Sequence, residues 1–150
     1  MSAFLPRGRH LLADFHGVAA ACLGDVAAIE ALLRTAADAA GATPVAGHFH
    51  PFGPGLGVTG VLLLAESHLS IHTWPEHGFA AVDVFMCGSA RPELAVDVIE
   101  AALAPARAGR DMAIPAWAGA SAPCWVRPPW SRNRQSALSG IFMSNSSPWS

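Results

Sequence analysis

Val58-Thr59-Gly60-Val61-Leu62-Leu63-Leu64-Ala65 runs without a break into Glu66-Ser67-His68-Leu69-Ser70-Ile71-His72-Thr73-Trp74-Pro75-Glu76. The first eight residues are nearly all aliphatic or β-branched and read as a strand. From His68 to Trp74 the chain alternates, with His68, Ser70, His72 and Trp74 on one side and Leu69, Ile71 and Thr73 on the other. A period of two predicts a strand with one buried face and one polar face. Pro75-Glu76-His77-Gly78 predicts a turn, and Phe79 to Cys87 a further strand.

Outward from this block, Gly8 to Val18 reads as a strand with Leu11, Ala13 and Phe15 opposite Leu12, Asp14 and His16. Asp25 suits the N-cap of a helix from Val26 to Ala40, whose apolar stripe is Val26, Ile29, Leu32, Leu33 and Ala36, with Gly41 at its end. Thr43 to Phe52 reads as a strand with Val45, Gly47 and Phe49 on one face and His48, His50 and Phe52 on the other. Gly53-Pro54-Gly55-Leu56-Gly57 is a turn, Pro92 opens a helix over Glu93 to Ala104, and Pro105 ends it. A last strand is expected near Met112 to Ala116. This order predicts an α+β two-layer sandwich, a mainly antiparallel sheet with helices packed on one face. The other face, rich in His and Phe, needs a cover of its own, and dimerisation supplies one.

The chain has 150 residues, enough for one core, and is 52% hydrophobic with 13% charged residues. One folded domain over residues 1–118 and an irregular, loosely packed tail over residues 119–150 are expected, because Pro123, Pro128, Pro129 and the Ser-rich end carry no periodicity. No apolar run approaches the roughly 20 residues of a membrane span, and Met1 to Arg9 lacks the pattern of a signal peptide, so a cytoplasmic protein is expected. Formal net charge is −2, and the nine basic residues, all Arg, form no block, which disfavours nucleic acid as a partner. Cys22, Cys87 and Cys124 form no CxxC pair, and their odd number argues against a disulfide framework.

The segment Glu66 to Glu76 is the densest in polar side chains, directly after a very apolar strand. Buried polar groups without partners are costly, so the segment is either a site or a sheet edge facing water. Three chemistries compete. His48 and His50 share a face, as do His68 and His72, and four imidazoles can bind zinc, yet this is no recognised zinc spacing and no metal is expected. A Ser–His hydrolase is a second reading, with Asp83 as third member, but Ser67 lies in no G-x-S-x-G elbow.

The third reading rests on resemblance. Gly8-Arg9-His10-Leu11-Leu12-Ala13-Asp14, Gly57-Val58-Thr59-Gly60, Ala65 to Glu76, and Ala81-Val82-Asp83-Val84-Phe85-Met86-Cys87-Gly88 resemble, in order and spacing, the prokaryotic S-adenosylmethionine decarboxylase proenzymes. The resemblance runs from about Gly8 to Ala104. It implies self-cleavage at Glu66-Ser67, giving a β chain of residues 1–66 and an α chain from 67, with a pyruvoyl group made from Ser67 as the cofactor. That group would hold the substrate amine as a Schiff base and act as electron sink during loss of CO₂. The resemblance assigns His72 as the base in processing, Thr59 to the place of a family serine that assists it, and Cys87 as proton donor in decarboxylation. Phe52, Trp74 and Glu76 are implied in binding S-adenosylmethionine, through the adenine and the ribose hydroxyls. It further implies a dimer of αβ units whose sites combine residues of two protomers, serving spermidine synthesis.

Two departures from the family pattern stand out: the Gly53 to Gly57 turn is about one residue longer than usual, and the chain after Pro105 is unlike the common family end. Relatives that decarboxylate ornithine or arginine share the processing motif, and an unprocessed homologue that only binds ligand or partner is a rival of another class.

Overall fold

The computed structural model describes residues 8–113. The expected tail of 119–150, its boundary at 118, and Cys124 lie outside the described residues, as does the chain before Gly8.

Six strands form one sheet: β1 (Gly8–His16), β2 (Pro44–Pro51), β3 (Val58–Leu64), β4 (Ser67–Trp74), β5 (Phe79–Cys87) and β6 (Arg107–Ala113). Their order is β2-β3-β4-β5-β1-β6, and every neighbouring pair is antiparallel. Helix α1 (Val26–Ala39) links β1 to β2, and α2 (Pro92–Leu103) links β5 to β6. Both helices lie on one face, giving the two-layer α+β arrangement that the sequence predicts.

The covered face is built from alternate residues. Leu11, Ala13 and Phe15 of β1, Leu62 of β3, Leu69 and Ile71 of β4 and Val82, Val84 and Met86 of β5 are buried in one cluster with Ile29 and Leu33 of α1 and Val96, Ile99 and Leu103 of α2. Complete burial of such aliphatic side chains contributes about 1.5–3 kcal/mol each. Asp25 caps α1 as expected, its carboxylate accepting from Ala27 and Ala28 N–H. At the other end Gly41 adopts φ +72°, and Gly41 and Ala42 N–H return to Asp38 and Ala37 carbonyls, closing the helix.

Three local features differ from the sequence reading. The last strand begins at Arg107, earlier than the expected Met112, and pairs with β1 from His16↔Arg107 to His10↔Ala113. All seven of its residues are exposed, so no hydrophobic alternation marks it. Pro75–His77 is a short 3-10 helix rather than a plain turn, and a second one, Ala20–Cys22, has no strong sequence signal. Among the described residues no helix is long and apolar enough to cross a membrane.

Candidate active site

The polar alternates of the strands share the sheet's open face. Those of β4 are His68, Ser70, His72 and Trp74; beside them stand Asp83, Phe85 and Cys87 of β5 and His10 of β1. The residues nominated from sequence do not form one cluster here. They divide into two groups at opposite ends of the sheet.

The first group surrounds the β3–β4 hairpin. Leu64 pairs with Ser67, so the connection is Ala65-Glu66 alone. Two-residue hairpins between right-twisted strands favour turns that place positive φ on the connecting residues, both of them in a type I′ turn. Ala65 and Glu66 are not in that region: among the described non-glycine residues, positive φ occurs only at Ser67 (153°) and Ala104 (43°). The unfavourable conformation falls on Ser67, where a non-glycine residue carries roughly 1–3 kcal/mol of strain. The hairpin is held from two sides. Glu66 Oε2 accepts from Thr43 N–H at 2.9 Å, and Ala65 N–H donates to the Thr43 carbonyl at 2.9 Å. The Thr43 backbone hydrogen bond holds the Glu66 carboxyl below its usual range. The Glu66 carbonyl, one residue further, accepts from Cys87 N–H at 3.2 Å.

That bond brings Cys87 to the hairpin, and Met86 pairs with Ser67 across the β4–β5 ladder. The Ser67 hydroxyl lies 3.3 Å from His68 Nδ1. On its far side, His68 Nε2 faces Asp83 Oδ1 at 3.6 Å, and the same oxygen bonds His10 Nε2 at 2.7 Å. Sequence reasoning assigned no role to the Cys87 N–H or to His10. A backbone donor has no residue-type signal, and His10 is 73 positions from Asp83, so only the β1–β5 register joins them.

The second group lies at the other end. Thr59 pairs with His72 across β3 and β4, and Thr59 Oγ1 is 3.1 Å from His72 Nδ1. Trp74 follows, 38% exposed, its ring 5.3 Å from Phe79 and 6.3 Å from His72. Glu76 is exposed on the 3-10 turn after β4. Phe52 is 57% exposed, with His50 packed edge-on at 5.1 Å. Its loop returns to the sheet through Phe52 N–H on the Gly57 carbonyl, and Gly57 presses against β4 so closely that a Cβ there would meet Thr73 O at 1.8 Å. Beneath, the buried Thr73 hydroxyl donates to the Leu23 carbonyl and accepts from Val58 N–H, both at 2.7 Å.

Ser67 and His72 stand five positions apart along an unbroken strand. At about 3.4 Å per residue the two groups stand roughly 17 Å apart. His48 and His50 lie on β2, and β3 separates them from His68 and His72. Among the described residues no three of His, Cys, Asp and Glu gather as a metal ion requires.

The fold and this open face define a small antiparallel sheet domain with a strained Glu-Ser hairpin and a second polar cluster at its far end. The family model described as S-adenosylmethionine decarboxylase matches residues 9–112, and the chain belongs to that family. Among its relatives, the S-adenosylmethionine decarboxylase proenzyme of Sulfurihydrogenibium sp. (strain YO3AOP1) is 52% identical over 81 residues, 54% of this chain and 60% of that one. The proenzyme of Aquifex aeolicus is 48% identical over 101 residues, covering 67% of this chain and 74% of the relative. The crystal structure of the adenosylmethionine decarboxylase from Aquifex aeolicus superposes with TM-score 0.67 at 44% identity, covering 72% of this chain and 89% of that chain. The match thus spans three-fifths of the length of the first of these relatives and most of the solved chain.

Proposed function

We propose that the chain is a cytoplasmic, self-processing, pyruvoyl-dependent S-adenosylmethionine decarboxylase, made as one chain and cut within its domain of residues 1–118 at Glu66-Ser67. The observation that carries this reading is the hairpin. Its peptide bond lies between a carbonyl that already accepts a hydrogen bond from Cys87 N–H and a serine at φ 153°. A hydroxyl beside a polarised carbonyl, on a strained backbone, is what an N-to-O acyl shift needs.

In that shift Ser67 Oγ forms a bond to the Glu66 carbonyl carbon, and the carbon–nitrogen bond breaks, leaving an ester and a free Ser67 amine. The Cys87 N–H faces the oxygen on which negative charge develops, and a donor so placed stabilises such a charge. A base then removes the Ser67 α-hydrogen. The ester carbon–oxygen bond at Ser67 breaks, Glu66 leaves as a carboxylate, and the dehydroalanine that remains takes up water and loses ammonia. The residues around Ser67 fit a pyruvoyl group made in place, since hydroxyl, carbonyl donor and thiol all belong to one hairpin and its neighbouring strand end. When present, that group supplies a ketone and an adjacent carbonyl that draw electrons from the substrate's α-carbon as CO₂ leaves. Cys87 would deliver the proton to that carbon from its thiol.

His72 is the proposed base for the elimination, with Thr59 fixing its ring through Nδ1. A base must come within about 2.6–3.2 Å of its proton, and His72 of the same subunit is several times too far away. The proposed arrangement is a two-fold dimer with open faces together, so that Thr59, His72, Trp74, Glu76 and Phe52 of one protomer stand against Ser67 and Cys87 of the other. A two-fold contact is self-complementary and makes two such sites at once. In each, Trp74 and Phe52 would take the apolar rings of the substrate and Glu76 its ribose hydroxyls, the carboxylate accepting two hydrogen bonds.

Intact-mass measurement of the mature protein tests the reading. Two fragments divided at Glu66-Ser67 are expected, the second bearing a borohydride-reducible carbonyl at its N-terminus, with CO₂ released from S-adenosylmethionine but not from ornithine or arginine. Ser67→Ala abolishes cleavage, and Cys87→Ala spares cleavage but impairs turnover. A mature chain with Ser67 intact would overturn the proposal.

A further inference from the structure

Accepting that Ser67 opens the bond before it, the acyl shift still needs a group that takes the hydroxyl proton, and the paired-subunit site supplies a base only for the later elimination. We infer that His68 of the same chain is that base, held in the required tautomer by Asp83. The inference deepens the processing reading and rests on it.

Strand alternation alone would send the Ser67 side chain to the helix-covered face, because its register partners Leu64 and Met86 are both buried there. The positive φ at Ser67 breaks that alternation, and the hydroxyl instead lies 3.3 Å from Nδ1 of His68, a residue of the open face. Catalytic hydrogen bonds are often long before the reacting geometry closes. Nδ1 can accept a proton only if the ring's hydrogen sits on Nε2. That nitrogen faces Asp83 Oδ1 at 3.6 Å, beyond hydrogen-bond length, so Asp83 acts through its charge, favouring hydrogen on Nε2. His10 fixes the carboxylate by its own 2.7 Å bond. Phe85 lies beside both rings, 6.1 Å from His68 and 5.5 Å from His10.

The step balances without any further reactant. The Ser67 Oγ proton moves to His68 Nδ1 as the oxygen bonds to the Glu66 carbonyl carbon. The negative charge gathers on the Glu66 oxygen, opposite Cys87 N–H. The carbon–nitrogen bond then breaks as His68 returns the proton to the Ser67 nitrogen. His68 is a catalytic residue in this step, and Asp83 and His10 are positioning residues.

The test follows cleavage over time in freshly translated full-length chains of wild type, His68→Ala, His72→Ala, Asp83→Asn and the double variant H68A/D83N. General-base removal typically costs 10²–10⁴-fold, so H68A should cleave at least about 100-fold slower. Its uncut chain should resist hydroxylamine, because the bond is still an amide, whereas the H72A chain should stall as a hydroxylamine-sensitive ester. Added imidazole should speed H68A at least about tenfold. D83N should be slow alone yet add little to H68A, as expected for groups acting as a unit. If H68A lacks the wild-type circular dichroism, His68→Gln, which keeps the ring's bulk in part but is no base, is judged by the same criteria. Wild type that stays intact removes the processing reading and this inference with it. Wild type that cleaves while H68A keeps pace removes the inference alone. A slow H68A that accumulates ester, or that imidazole does not accelerate, also overturns it.

Discussion

Mixing two dead variants should restore cleavage in one of them. Ser67→Ala removes the attacking hydroxyl and His72→Ala the base for elimination, so neither chain matures as a homodimer. The spacing of β4 dictates what a heterodimer does. Ser67 and His72 lie five residues apart on a continuous strand, about 17 Å at the usual rise, against the roughly 3 Å a proton transfer allows. As the proposed base, His72 is therefore expected to serve a Ser67 other than its own. In a heterodimer one site combines the intact Ser67 of the H72A chain with the intact His72 of the S67A chain, and the other site lacks both. With equal expression and random pairing about half of the dimers are heterodimers, and about half of the H72A chains should be cut while the S67A chains stay whole. Co-expression with two different affinity tags and intact-mass analysis after the first pull-down give the half-cut fraction, and after a second, tandem pull-down nearly all H72A chains should be cut. If the H72A chains remain intact in heterodimers recovered by both tags, His72 does not act across the interface, and the argument from strand geometry fails.

Two further outcomes follow from the hairpin. Ser67→Gly and Ser67→Ala are both uncleavable, but only glycine adopts φ near +153° at low cost. Relief of about 1–3 kcal/mol of strain, less the 0.5–1 kcal/mol that glycine costs within a strand, should leave S67G at least as stable as S67A and melting up to several degrees above it by calorimetry; lower melting of S67G would refute the strain. The Glu66 carboxyl titrates below its ordinary value, chiefly through Thr43 N–H. A depressed carboxyl contributes stability that is complete above its unfolded value and lost as pH falls through the folded one. In the S67A chain, amide exchange at Thr43 should therefore quicken in acid, as pH falls below the ordinary carboxylate range and through the lowered Glu66 value, and Glu66→Gln should remove that acid dependence; an unchanged profile in E66Q would assign it to another group.

Much of the molecule is legible from residue order alone. The alternation of Leu69, Ile71 and Thr73 against His68, Ser70, His72 and Trp74 gives β4 and its two faces, because a strand's period of two leaves no other arrangement once one side must be dry. Asp25 and Gly41 mark the ends of α1 because short-range hydrogen bonds decide helix termini. The resemblance nominates the Glu66-Ser67 bond, and Cys87 ends the strand whose N–H meets the Glu66 carbonyl. β6 is legible only at its end, near Met112; its start at Arg107 is not, since all its residues are exposed and pairing with β1 makes it a strand.

Tertiary structure alone decided how these parts meet. Registers between strands distant in sequence bring Cys87 N–H onto the Glu66 carbonyl and His10 onto Asp83. A two-residue connection without glycine transfers its awkward torsion to Ser67. The extended β4 holds His72 five positions from the serine it was expected to serve, and the proposed chemistry therefore draws on a second subunit. None of this is a property of any short stretch of chain: each depends on which strands lie side by side, and that is settled only when the buried faces of β1, β3, β4 and β5 close with the two helices on a single core.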